Sequence, residues 1–215
     1  MKPGKTLSFI TIGGSSFVVL AFFFGNWQGY QSAAQATPVP VPETKPENLT
    51  PVNQCLAALE NRFKRCTTPY NVVYSIMQTE TAVANNLNAS NCVMVNEGPQ
   101  EGVSKCFKNR ETATDALQGL EIWGQYTPNF DGGCMQVNYK WWGKYFDKRA
   151  DLFNPNDNIN AGIKILKQRI EEAGGNIIEA AGRYHSKTTR HKNRYLKKFN
   201  KYYNKINNQC IEENL

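Results

Sequence analysis

The 215-residue sequence has only two histidines, His185 and His191, both in one C-terminal stretch. It has no C-x-x-C pair and no His cluster with zinc spacing, which argues against a metal site. Neither histidine has a clear Ser or Cys partner in sequence, so no nucleophilic triad is built on them. No β-alternation of useful length occurs, and a mainly α domain is expected. No long polar tract interrupts the chain and 12% of its residues are aromatic, which supports a sizeable core. Length alone sets a prior of one globular domain plus extras.

Charge is absent from Leu7 to Phe24, after Lys2 and Lys5. This matches a basic n-region followed by an apolar h-region. The run is long for a cleaved signal and just long enough to approach a membrane span. Ala34-Gln35-Ala36 offers a cleavage site, while Trp27 and Tyr30 stand where interfacial aromatic residues would anchor an uncleaved helix. Residues 1–36 are therefore read as a signal peptide or as an N-terminal membrane anchor through residues 7–24. Both readings export the rest of the chain to the periplasm or cell envelope. Residues 37–51 hold five prolines and few apolar side chains, which favours an extended, solvated tether. The folded domain is expected over 52–210, with a tail at 211–215.

Six cysteines fit an oxidising compartment: Cys55, Cys66, Cys92, Cys106, Cys134 and Cys210. If Leu56 to Arg65 is continuous helix, Cys55 and Cys66 stand about 16 Å apart and cannot bridge each other. Cys134 reads as a small buried residue or as one end of a bridge to a distant cysteine.

Helical spacing dominates the folded part. Val52, Leu56, Leu59 and Phe63 share a face. Pro69 fits the first turn of a second helix, with Thr67 or Thr68 as its N-cap. The apolar face of that helix is Val72, Val73, Ile76 and Met77, and one further turn from Ile76 reaches Glu80. A carboxylate on a buried face is uncommon unless it is paired or functional. On spacing alone, an ordinary Glu at the helix edge is the commoner case. Residues 85–131 read as a loop-rich insertion pinned by Cys92 and Cys106, where a bridge between the two is one option. Thr114 to Leu120 fits a short helix, and Trp123, Tyr126 and Phe130 form an aromatic cluster. Gly132-Gly133 breaks the chain before Cys134. Val137 to Tyr145 then reads as helix, with one of Trp141 and Trp142 packed inward. Asn154-Pro155 marks a turn, Asn156 or Asp157 offers the next cap, and Ile159, Ile163, Leu166 and Ile170 form a face closed by Gly174-Gly175. Ile177 to Ser186 and Thr189 to Asn207 complete the helices. From Arg183 to Lys205 there are nine Lys or Arg and no acid. Such a run is either a solvated face or an attraction to an anionic surface, and nucleic acid does not suit an exported protein.

Four blocks in order resemble one family. They are Gln78-Thr79-Glu80-Thr81; Asp131-Gly132-Gly133-Cys134-Met135-Gln136-Val137-Asn138 with Trp142; Leu152-Phe153-Asn154-Pro155 with Asn158-Ile159-Asn160-Ala161-Gly162; and Ala180-Ala181-Gly182-Arg183-Tyr184-His185-Ser186. The chain is similar here to the soluble lytic transglycosylase (SLT) domain, in its small form associated with type IV and type III secretion machines. The resemblance spans roughly residues 69–205, and the second block is the specific one.

The resemblance implies a lysozyme-like fold and cleavage of the β-1,4 bond between N-acetylmuramic acid and N-acetylglucosamine in peptidoglycan. Glu80 matches the catalytic acid and base. Thr81 stands where Ser is usual, and its hydroxyl is expected to keep the same supporting hydrogen bond. Gly133, Met135 and Gln136 match the loop lining the cleft, and Tyr184 matches the tyrosine supporting carboxylate and substrate. Asn158 matches a capping or positioning asparagine. Two departures stand out: Cys134 replaces the usual Leu or Ile, and the interval from Glu80 to Gly133 is long by one insertion. Glu97, Glu101, Glu111 and Glu121 fall in that interval as rival acids. Only Glu80 ends an apolar helix face, the setting that raises a carboxyl pKa.

The implied chemistry uses one carboxyl, no cofactor and no metal, and closes a 1,6-anhydro ring on the muramyl residue. Asp131 is the one acid beside the central block, and if it faced the cleft a hydrolytic muramidase would result. A catalytically weak peptidoglycan-binding assembly protein, docking secretion-system components through the basic helix, is a further reading. A disulfide-rich extracellular binding domain unrelated to the family rests on cysteine count alone.

Overall fold

The computed structural model describes residues 51–86, 88–97, 101–122 and 129–213, all within one unit. The apolar stretch at 7–24, the rest of the leader, the tether up to residue 50, Gly98-Pro99, Trp123 and Tyr126 lie outside the described residues, as does the side chain of Glu121.

Seven α-helices are present among the described residues. Helix α1, Pro51–Arg62, buries Cys55, Ala58 and Leu59. Helix α2, Thr68–Thr81, starts after Thr67 with Pro69 in its first turn, where the missing N–H costs nothing. Its buried face includes Val73, Ile76 and Met77, each with no exposed surface. It stops at Ala82, whose left-handed backbone (φ 50°) lets its N–H bond to the Gln78 carbonyl. The Gln78 side chain then accepts from the Ala84 N–H at 2.9 Å, so the turn after Glu80 is held by one buried amide.

The segment between the two central blocks is not a loop held apart from the fold. It forms strand β1, Cys92–Val95, strand β2, Ser104–Cys106, and helix α3, Arg110–Ile122. Strands β3, Phe130–Gly132, and β4, Val137–Asn138, complete an antiparallel sheet in the order β2-β1-β3-β4. Val93 pairs with Gly132 and Met94 with Asp131. The insertion therefore carries the Gly132-Gly133 turn into place. This sheet was not expected from the sequence. Its strands have two to four residues, too short to show an alternating pattern.

Val137 to Tyr145 differs from the expected single helix. Val137 and Asn138 are strand, helix α4 is confined to Tyr139–Trp142, and a 3-10 turn follows at Gly143–Tyr145. Trp141 is 66% exposed, while Trp142 packs against the core. Helix α5, Pro155–Glu172, is capped by Asn154, which accepts from the Asn156 and Asp157 N–H groups; the expected cap, Asn156 or Asp157, lies two or three residues later. Helix α6, Ile177–His185, is capped by Asn176. Helix α7, Thr189–Glu212, runs past the expected Asn207 and lies along α2, where Asn71 donates to Asn207 at 2.7 Å.

All six cysteines are bridged: Cys55 to Cys134, Cys66 to Cys210, and Cys92 to Cys106. Cys55 and Cys66 take different partners, as expected, although the helix between them ends at Arg62 rather than running on to Arg65. Among the described residues no helix is long and apolar enough to cross a membrane.

Candidate active site

Three helices, a strand and a turn meet where α2 ends. Glu80 is the penultimate residue of α2, and its side chain keeps 14% of its surface open. Close enough to act on it electrostatically are Tyr184 and His185 at the end of α6, Tyr195 and Lys198 on α7, and Asp131 on β3. His185 Nδ1 stands 3.8 Å from Glu80 Oε1, and its ring stacks on that of Tyr195 with centroids 4.6 Å apart.

Burial pushes the Glu80 carboxyl up to about 8. The Tyr195 hydroxyl and Lys198 favour the charged form, and the charge of Asp131 opposes it. The Tyr195 hydroxyl is buried and meets no full hydrogen-bond geometry, so its effect on Glu80 is that of a nearby dipole rather than a firm bond. The carbonyl end of α2 also disfavours a negative charge here. Burial holds His185 below its ordinary range, with His191 and Lys198 adding to the effect. It therefore faces Glu80 as a neutral ring at pH 7 and does not drive ionisation. Three buried side chains on the same helix face contribute roughly 1.5–3 kcal/mol each. Together they outweigh the cost, about 3 kcal/mol at pH 7, of keeping the carboxyl protonated. The helix can therefore hold an acid in this position.

A cleft of about 480 Å³ opens beside the carboxyl. Gln78 to Ala82 line it from α2, and Lys198, Lys201 and Tyr202 from α7. Ser104 and the Cys92–Cys106 bridge add the hairpin's side, and Gln136 joins them.

The turn from Gly133 to Gln136 is built on Asn158, which is fully buried. Its amide donates to the Gly132 and Leu152 carbonyls, both at 2.9 Å, and its Oδ1 accepts from the Met135 N–H at 2.8 Å. Gly133 has φ 76°, and a Cβ there would overlap both Asn158 Nδ2 and the Leu152 carbonyl oxygen. Gln136 also takes a left-handed backbone (φ 47°), and its amide donates to the Cys92 and Gly133 carbonyls at 3.1 and 3.0 Å. Gln136 reaches the cleft. Met135 does not reach it with its side chain, which is fully buried with its sulfur against Gly162, so only its backbone bears on the site. The Met135 carbonyl accepts from the Tyr184 hydroxyl at 2.9 Å. Tyr184 thus holds the turn directly and meets Glu80 through electrostatics.

Thr81 differs from its expected role: its hydroxyl donates to the Met77 carbonyl at 2.9 Å, one helical turn back, and leaves the carboxyl alone. Asp131 is itself held up by burial, and Asn138 donates to it at 2.7 Å. Three of the rival acids, Glu97, Glu101 and Glu111, are not among the residues that line the cleft. Glu97 pairs with Lys140 at 3.0 Å and is held below its usual range, and Glu101 and Glu111 are exposed. Tyr195, His185 and Lys198 were not read from the sequence as site residues. Their place depends on how α6 and α7 dock on α2, and no local pattern marks it. Among the described residues no group of three His, Cys, Asp or Glu side chains could hold a metal ion.

A family model, described as the transglycosylase SLT domain, matches residues 57–208. No curated protein and no solved structure matches the chain.

Proposed function

Starting from the fact that this chain belongs to the transglycosylase SLT domain family, whose members are lysozyme-like enzymes that cleave peptidoglycan glycosidic bonds, we propose that it is a lytic transglycosylase with Glu80 as its only acid and base. The observation that carries the reading is Glu80 itself. It is a carboxyl pushed up to about 8, open to a cleft, beside the turn that Asn158 and Tyr184 hold.

The proton on Glu80 passes to the glycosidic oxygen between the muramyl and glucosaminyl residues as their bond breaks and the muramyl ring gains oxocarbenium character. The resulting carboxylate takes the proton from the muramyl 6-hydroxyl. That oxygen attacks the anomeric carbon and closes the 1,6-anhydro ring, and Glu80 regains its proton. Oxyanion formation on Glu80 is brief, and Lys198 and the Tyr195 dipole favour it. Asp131 supports hydrolysis as a second reading, because it lies near enough to Glu80 to raise its pKa. In that case a water would replace the 6-hydroxyl as nucleophile.

Three disulfides support a site of action in an oxidising compartment. We place the enzyme in the periplasm or cell envelope, delivered or anchored by residues 7–24. There it would open the wall locally for a secretion apparatus, a role supported by the sequence resemblance alone.

The test is digestion of purified peptidoglycan followed by mass spectrometry. Products ending in 1,6-anhydromuramic acid are expected. Reducing ends would replace transglycosylation by hydrolysis. Binding without any product, from protein shown to be folded, would leave the assembly-protein reading.

A further inference from the structure

The basic run at the C-terminus divides into two sets in the folded chain. Arg183 and Lys192 pair with Glu179 at 2.8 and 2.6 Å, and Lys187 pairs with Glu172 at 3.0 Å. The remainder, Arg190, Arg194, Lys197, Lys198, Lys201 and Lys205, are exposed and make no ion pair among the described residues. On α7, positions 190, 194, 198, 201 and 205 recur at helical spacing and so share one face. Two members of that face, Lys198 and Lys201, line the cleft across from Glu80.

The cleft's charge inventory is lopsided. Among the described residues its lining holds two lysines and a single carboxyl, and that carboxyl keeps its proton at neutral pH. The hydroxyl and N-acetyl groups of the glycan are uncharged and gain little from these ammonium groups, and the muramyl lactyl carboxyl is neutral wherever a peptide is joined to it as an amide. Peptidoglycan is not bare, since each muramyl residue can carry a lactyl-linked peptide with free carboxylates. A lysine is a compact charge on a flexible stem, able to meet a carboxylate at the end of a mobile peptide.

We propose that Lys198 and Lys201 form a subsite for a carboxylate of the peptide substituent on the muramyl residue in the cleft, making this chain selective for peptide-bearing glycan. Arg194 and Lys205 extend the same face beyond the cleft for neighbouring substituents. The proposal rests on the transglycosylase reading for its ligand, but its signature is selectivity rather than cleavage.

The experiment compares glycan strands bearing peptides with the same strands stripped by an amidase and then treated with carbodiimide and ammonia, which turns the lactyl carboxylate left by the amidase into a neutral carboxamide, measuring kcat/KM for each. The unaltered protein should prefer peptide-bearing strands roughly three- to tenfold at low salt, the range that two solvent-exposed charge contacts can supply. High salt should bring the ratio close to one. Lys198→Gln with Lys201→Gln should also bring it close to one, and Lys201→Arg should keep it, since the charge is retained. A ratio near one for the unaltered protein, or an unchanged ratio in the double variant, overturns the proposal. Binding of the Glu80→Gln variant to the two strands separates this idea from the enzymatic one. Preferential binding to peptide-bearing strands would sustain the subsite even if no strand is cleaved, and equal binding would overturn it.

Discussion

Glu80 carries a proton at neutral pH because the fold gives its charge too little water. In the unfolded chain the same carboxyl ionises near 4.5, and in the fold near 8. Folding therefore favours the protonated form, and the stability from this group is intact below about pH 4.5 and lost as pH rises towards 8. Replacing Glu80 with Gln removes the ionisation and keeps the shape. Glu80→Gln should leave stability unchanged at pH 4.5 and raise it by about 2–3 kcal/mol at pH 7, reduced in so far as the open edge of the carboxyl is solvated. Urea midpoints at the two pH values measure this, and equal shifts at both would contradict a buried, protonated acid. Activity in this variant should fall by roughly 10²–10⁴-fold. In the unaltered protein kcat/KM should hold up to about pH 8 and fall above it as the acid form is lost, which a pH–rate profile would record. The sequence pointed to Glu80 because helical periodicity carries it onto the Ile76 face. It had no means of showing that a neutral His185 stands 3.8 Å away, since that neighbour comes from a different helix.

At the scale of elements, the Gly133–Gln136 turn is secured from three sides: Asn158 on α5, Tyr184 on α6 and the Cys92 carbonyl at the start of β1. Asn158 satisfies two carbonyls and one N–H that have no water to turn to. Asn158→Ala should cost about 3 kcal/mol by leaving those buried groups unpaired. Asn158→Asp should be at least as damaging, because a carboxylate oxygen would face the Gly132 and Leu152 carbonyls. Thermal midpoints decide the point, and a loss below about 0.5 kcal/mol would show that the turn holds itself. The long helices here were legible from apolar spacing, and α2, α5, α6 and α7 all lie close to their expected ranges. The sheet was not, because pairing between strands of two to four residues is set by the partner strand and not by a local pattern. For the same reason Val137 and Asn138, read as the start of a helix, are claimed by β3.

Across the whole molecule, the three disulfides close chain separations of 14, 79 and 144 residues. The two long ones tie distant parts together. Cys55–Cys134 joins α1 to the site turn, and Cys66–Cys210 joins the start of α2 to the end of α7. By chain entropy the 14-residue bridge contributes about 3 kcal/mol and the 144-residue bridge about 5 kcal/mol, values that strain or residual unfolded structure reduce. Cys66→Ser with Cys210→Ser should therefore cost more than Cys92→Ser with Cys106→Ser, as read from guanidinium midpoints. The reverse order would mean that the hairpin bridge, which borders the cleft, does more than shorten a loop.

What the amino-acid order settled by itself is local. Apolar spacing set the helices, Pro69 set one helix start, and Gly133 set a turn that only glycine can make. It also placed Glu80 on a buried face. Tertiary structure alone decided which cysteines pair, that the insertion builds a sheet under the site, and that Thr81 bonds its own helix. It also decided which lysines of the basic run find acids and which remain open beside the cleft. The division follows from range: periodicity and steric preference act within a few residues, whereas burial, charge pairing and pKa depend on groups that only folding brings together.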